Sequence, residues 1–434
     1  MTKPVMQSSA TAATTPLSAP DNPVRWGMLV LLFLVTVINF VDRQALSIAS
    51  PVLREQFHLT ATDYGRIVAG FTFGMLIGEF PMGWLTDRFG VRRILPLAVL
   101  WWSAGNAMHA LARSTWQFAS LRFWLGTGEC ANYSGGMKVV SQWFKPKERA
   151  FATGIFNGGA TIGSILAPPL LVWITHSLGW QMTFVLPSSL GLIWVLAWRI
   201  YYRDPAPADR FEDDQEAPSN ASLLVRPEVW GLMLLRALAG PVSQFYIFWL
   251  PDYLSRERGF TLTSIGMFAW IPFLFADFGS ISGGWFSGFL IRRGWTVAAA
   301  RHLSMWLGAG LCVTGFVVTS ARSAGGAIAF ICVVLFGHYA LSANMFARIS
   351  DLLPGPAVSR VTGLTGIAQG LSGFGFPLLT GWLVDHGGYT PVFALTALMP
   401  AAGVLALFAL TSRSEPRPSE SGPSRAADGK LNDV

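Results

Sequence analysis

Trp26-Gly27-Met28-Leu29-Val30-Leu31-Leu32-Phe33-Leu34-Val35-Thr36-Val37-Ile38-Asn39-Phe40-Val41-Asp42-Arg43 begins an apolar run that continues to about Ser50. A helix rising 1.5 Å per residue crosses a hydrocarbon core of about 30 Å in roughly 20 residues, so this run is long enough to span a bilayer. It does so with an acid and a base two thirds of the way along. Further runs of this kind lie near residues 64–86, 94–112, 115–142, 149–175, 181–202, 229–254, 264–291, 300–320, 325–351, 359–385 and 390–411. The first, fourth, fifth, tenth and eleventh carry polar residues, which membrane helices tolerate only where they face protein or water. The expected fold is an all-α polytopic membrane protein with 12 transmembrane helices.

Composition agrees: of 434 residues, 52% are hydrophobic and only 13% charged, about half the charged share of a soluble domain. The net charge of +7 is explained by its placement and calls for no nucleic-acid partner. With the N-terminus inside, nineteen of the 31 basic residues fall in inner segments, among them Arg88, Arg92, Arg93, Lys145, Lys147 and Arg149, and six in outer ones. The positive-inside rule therefore places both termini in the cytoplasm. Cys130, Cys312 and Cys332 all lie within expected spans without spacing suited to zinc or a disulfide framework, so neither a metal site nor redox chemistry is expected.

Residues 1–24, rich in Ala, Thr, Ser and Pro, and residues 413–434 read as disordered cytoplasmic tails. Residues 203–227, with Pro205, Pro207, Glu212, Asp213, Asp214 and Glu216, read as a solvated cytoplasmic linker. It separates an N-terminal six-helix bundle, 25–202, from a C-terminal one, 228–412. The halves repeat. Leu59 to Gly65 aligns with Phe260 to Gly266, and Gly83-Trp84 with Gly284-Trp285, at an offset of 201; Gly154, Trp180 and Phe184 align with Gly363, Tyr389 and Phe393 at an offset of 209. Two repeats in one orientation characterise transporters whose binding site lies between the halves near the bilayer midplane.

Gly83-Trp84-Leu85-Thr86-Asp87-Arg88-Phe89-Gly90-Val91-Arg92-Arg93 resembles the signature loop of the major facilitator superfamily. Asn39 to Arg43, Arg122 to Tyr133, Trp143 to Ala150 and Gly154 to Asn157 resemble its anion:cation symporter branch, which includes bacterial hexuronate and galactonate transporters and the vesicular glutamate and sialic-acid carriers. The likeness runs from about residue 26 to 411 and is closest to hexuronate transporters in the tenth and eleventh spans. It implies the major facilitator fold, an arginine in the first helix as anion ligand, and an arginine and a proton-coupling glutamate in the fourth. Those roles fall on Arg43, Arg122 and Glu129. It also implies a bacterial inner (cytoplasmic) membrane location.

The residues support that reading independently. A charge inside a span costs at least about 2.5 kcal/mol, so those that persist tend to face a cavity and serve ions or substrates. The planar guanidinium of Arg43 suits a carboxylate, with Asp42 as its partner when the site is empty. Arg122 and Glu129, seven residues apart, lie within about 20° on one helix face. Glu129 would respond in its protonation to whether substrate occupies the arginine, and Asp42 is the second proton-coupling candidate.

Under the repeat offsets, Asp42 and Arg43 correspond to Ser243 and Gln244, and Glu129 to His338. We therefore expect the first half to handle proton and carboxylate. The second half, through Gln244, Tyr246, His338, Asn344 and Gln369, would hydrogen-bond the neutral part of the substrate, with Trp124 and Tyr133 stacking on a sugar ring. Asp87, Arg88, Arg92 and Arg149 are expected gating residues, Asp87 pairing with Arg149 or a helix N-terminus. Glu79 reads as a structural or gating partner, while Asp277 lies in no interpretable motif. Gly at four-residue spacing in the fifth and eleventh spans reads as close helix packing.

The expected activity is proton-coupled import of a sugar acid, such as galacturonate or glucuronate, by a monomer in the lipid bilayer. No cofactor is expected beyond the proton as coupling ion. The alternatives are uptake of galactonate, glucarate or another carboxylate, and proton-independent exchange or export. With no loop longer than about 25 residues and no catalytic constellation, an enzyme or sensor is disfavoured.

Overall fold

Thr60 and Thr261, which the repeat aligns, start two helices in the same way: the hydroxyl of each accepts the backbone N–H three residues on, from Asp63 and Ser264. Pro146 and Pro227 open two more from first-turn positions, where no N–H is needed. Gly90, at φ +82°, turns the chain between two helices, and Gly259 ends another in the left-handed region, at φ +65°.

The computed structural model describes residues 24–204, 220–352 and 355–411. The helices of its first part are α1 (Val24–Gln56), α2 (Ala61–Phe89), α3 (Val91–Met108), α4 (Thr115–Trp143), α5 (Pro146–Leu178) and α6 (Met182–Tyr201). There follow α7 (Asn220–Leu224), α8 (Pro227–Arg258), α9 (Leu262–Phe268), α10 (Ile271–Arg292), α11 (Val297–Cys312), α12 (Gly315–Val318), α13 (Ala324–Leu352), α14 (Gly355–Gly387) and α15 (Thr390–Thr411). The expected tails fall outside the described residues, except for Val24, and so does most of the expected linker, including its acidic cluster.

Among the described residues, eleven helical stretches, with α9 and α10 counted as one and α11 and α12 as another, are long and apolar enough to cross a membrane. α4 is long enough, at 29 residues, but is not among them: it carries Arg122, Glu129 and Lys138. It packs against α2 and α3, so these groups face protein, and it completes the twelve expected spans.

Within the first part, α1 packs on α5 and α6, and α3 on α4 and α6; within the second, α10 and α11 pack on α13, and α15 on α8. Helices of the two parts meet in pairs related by the repeat. Ser47 of α1 donates to the carbonyls of Ile247 and Phe248 on α8, at 2.9 and 3.0 Å, and Ser47 and Phe248 are 201 apart. Gly65 of α2 lies against Pro377 and Gly381 of α14, while its counterpart Gly266 of α9 lies against Val172 of α5.

These contacts cluster at the end remote from α1's N-terminus. At the other end, Gly83 and Gly363, and Gly154 and Gly284, have open space where a side chain would be. The halves are thus closed at the far end and splayed at the end where α1 begins. At Gly381 a Cβ would meet the Ala61 carbonyl oxygen at 2.5 Å, and backbone cannot yield cheaply. Gly381→Val is therefore expected to cut any transport that needs this end to close at least about tenfold, whereas Gly363→Ala should change it by less than about twofold. Equal uptake by the two variants would refute this.

Candidate functional site

Successive residues on a helix point about 100° apart, so Asp42 and Arg43 cannot face the same way. Arg43 faces α4: its Nε and Nη2 donate to Oε2 of Glu129 at 3.0 and 2.9 Å, and Nη2 also to Oδ1 of Asn39 at 3.2 Å. The Arg43 guanidinium rests on the rings of Phe40 and Phe71, 4.6 and 5.3 Å from their centroids. Its side chain is 17% exposed, while that of Glu129 is fully buried. Oε1 of Glu129 has no hydrogen-bond partner. Arg122, also fully buried, donates through Nη2 to the Arg43 carbonyl at 3.2 Å. It props the backbone behind the site, and its Nε and Nη1 have no hydrogen-bond partner.

The expected pairing of Asp42 with Arg43 is overturned. Asp42 turns into the bundle, where its Oδ1 accepts from Nδ2 of Asn106 at 2.8 Å, and Asn106 also reaches Ser188 of α6. The arginine's carboxylate is Glu129, 86 residues away.

The second-half candidates divide. Gln244 of α8 packs on Gly373 of α14, and Gln369 of α14 packs on Gly240 of α8, so the two amides cross at one helix contact. His338 is buried with Nδ1 unpartnered. Two expectations fail. Tyr246 is fully buried against Phe245 and Phe393. Asn344 donates to the carbonyls of Gly283 and Ala340 at 3.0 and 2.9 Å, stitching α13 to α10. A buried amide that satisfies backbone carbonyls has no donor left for a ligand. In the first half, Tyr133, one turn beyond Glu129, is 55% exposed, whereas Trp124 packs at a tilt against Trp101 of α3, ring centroids 4.9 Å apart.

Among the gating candidates, Asp87 accepts from Lys138 of α4 at 2.7 Å, and among the described residues it bonds no helix terminus and not Arg149. Arg149 donates to the carbonyls of Phe144 and Ser141, and it lines one cleft of about 570 Å³ together with Asp87. Arg92 lies 3.9 Å from Asp204, and Arg88 lies over Trp84 and Phe89.

Several groups of consequence were missed. At the closed end Arg54 of α1 bonds Asp252 of α8 at 2.6 Å, both side chains buried, and the Tyr389 hydroxyl donates to the same carboxylate at 2.5 Å. Beside them Asp385 of α14 accepts the N–H groups of Ala61 and Thr62, capping α2 across the halves. Thr161 of α5 donates to Asp277 of α10 at 2.8 Å, which gives that acid a partner. Arg236 of α8 sits over Phe346, 4.5 Å from the ring centroid. Its position inside a span was the available signal, the same one that marks Arg43.

The model of the family described as the Major Facilitator Superfamily matches residues 32–377. The chain is 32% identical to the hexuronate transporter of Escherichia coli K12 over 403 residues, 89% of this chain and 93% of that protein. It is 34% identical to the galacturonate transporter of Dickeya chrysanthemi over 279 residues, 60% of this chain and 81% of that one. Identity to the E. coli D-galactonate transporter is 28%, over 89% and 95% of the two chains. Among solved structures, an inward-facing, unoccupied bacterial homologue of the human lysosomal transporter Spinster superposes with a TM-score of 0.71 at 19% identity, covering 90% of this chain and 96% of that one.

Proposed function

The chain belongs to the major facilitator superfamily, and from that premise we propose that it imports a sugar-acid anion, a hexuronate such as galacturonate or glucuronate, together with protons by alternating access. It is a transporter of small organic anions and not an enzyme. The finer reading is supported by the relatives named hexuronate and galacturonate transporter, and above all by the Arg43–Glu129 pair, which joins α1 to α4 within the first half.

That pair works as an exchange of carboxylates. A substrate carboxylate can take the Nε–Nη2 edge of Arg43 only by displacing Glu129. A displaced carboxylate in a buried site lacks both water and a counter-ion, so it takes up a proton. Conversely, a proton on Glu129 frees the arginine. Substrate and proton thus favour each other's binding, which is the coupling a symporter needs. Arg122 holds the Arg43 backbone in place, and the crossed amides Gln244 and Gln369, with Tyr133, read the hydroxyls. Asp42 is retained only as a proton site held by Asn106. The far, closed end is the periplasmic side of a bacterial inner membrane, and both termini are cytoplasmic, following the positive-inside rule. The protein acts as a monomer of two six-helix bundles.

The test is uptake of labelled galacturonate into proteoliposomes under an imposed proton gradient, with and without a protonophore. Accumulation that the protonophore abolishes and glucuronate competes is the expected result. Uptake of galactonate or another carboxylate alone would change the substrate, and uptake indifferent to the gradient would leave an anion exchanger.

A further inference from the structure

Arg236 lies nine residues into α8, within a membrane-spanning helix, and its five donors meet no acceptor among the described residues. Its Nε is buried without a hydrogen-bond partner, and the guanidinium rests on the face of Phe346. The groups within electrostatic reach come largely from the opposite half: Glu79 of α2 and Tyr133 of α4, with Tyr339 of α13. Glu79 and Tyr133 are exposed, so Arg236 looks into the gap between the halves.

Its depth follows from the repeat. The offset of 201 that joins Ser47 to Phe248 sets Gln244 level with Arg43. Arg236 is eight residues before Gln244, and so about 12 Å nearer the open end. Tyr339 of α13 is within electrostatic reach of both arginines. The two guanidinium groups therefore differ in depth by about 12 Å along the bilayer normal and both act on Tyr339. A sugar acid with a single carboxylate serves Arg43 and leaves Arg236 with no anion. An open six-carbon chain with a carboxylate at each end serves both, and bidentate geometry makes each contact selective.

Resting on the transport reading above, we propose that Arg236 is a specificity-determining residue that binds the distal carboxylate of the substrate, so that the site prefers sugar diacids to monoacids. Glu79 is within electrostatic reach of Arg236 but forms no ion pair with it, so the guanidinium donors stay free, unlike those of Arg43.

Galactarate and galactonate make the test, because they differ only in a carboxylate against a hydroxymethyl group at the far end. Each competes with labelled galacturonate for the wild type, Arg236→Gln and Arg236→Lys in proteoliposomes. The same two ligands are compared by their shift of the thermal unfolding midpoint of the purified proteins, which still reads in a variant that binds without transporting. In the wild type galactarate should compete at the lower concentration. Arg236→Gln should lose that preference by about tenfold or more, the worth of one charged hydrogen-bonded contact, and Arg236→Lys should keep part of it. The proposal falls if galactarate is no better than galactonate in the wild type, or if Arg236→Gln weakens both equally, which would make Arg236 a group that serves closure of the halves. Those results leave galacturonate transport standing. Failure of the wild type to move or bind any sugar acid would overturn both readings.

Discussion

Glu129→Gln is expected to exchange sugar acid across the membrane and yet fail to accumulate it. Glutamine keeps the shape of the side chain and one oxygen for Arg43, but has no charge to surrender and no proton to carry. Arg43, no longer held by a carboxylate, remains available for substrate, so counterflow should stay within about tenfold of the wild type. Proton-driven accumulation should fall to a ratio of about one, since the free energy shared by the two ligands is gone. The measurement is labelled galacturonate in proteoliposomes, once under a proton gradient and once preloaded with unlabelled substrate. Loss of both activities would make Glu129 a binding or folding residue. Full accumulation would move the proton elsewhere, with Asp42 the next acid to replace.

The second large effect lies at the closed end. Asp252→Asn leaves the Arg54 guanidinium buried at the interface with a neutral partner, in a cluster where Tyr389 also donates to the lost carboxylate. Removing one member of a buried ion pair costs about 3–5 kcal/mol. The cost applies only while the ends of α1 and α8 are packed together, because an open end would let water reach Arg54. The balance between the two conformations should therefore shift towards the outward-open one by at least about 100-fold. A cysteine placed at Ser50 should react with an impermeant thiol reagent from the far side much faster in Asp252→Asn than in its absence; Cys130, Cys312 and Cys332 are buried and give little background. An unchanged rate would show that the Gly65 and Gly381 contacts hold this end without the ion pair.

Arg43, Glu129 and Arg122 were legible because charge inside an apolar run is expensive and therefore informative. Their connectivity was not. Asp42 is next to Arg43 along the chain, and that adjacency made it the natural partner, yet the 100° step between neighbours sends the two side chains into different surroundings. Tyr246 and Asn344 were misplaced for a related reason: polarity within a span marks a residue that avoids lipid, but burial against other helices satisfies that condition as well as a cavity does. Arg236 carries the same signal as Arg43, but at the offset of 201 it aligns with Val35, so the repeat gives it no charged counterpart.

By itself the sequence determined the helical, membrane-spanning architecture, the duplication, and the family, since each rests on local composition and spacing. Only the tertiary structure decided which acid holds Arg43, that Arg54 and Asp252 close one end, and that the glycines aligned by the repeat are tight at that end and open at the other. Those facts depend on how separate helices face one another, and a helix surface gives no sign of its neighbour until the two are packed.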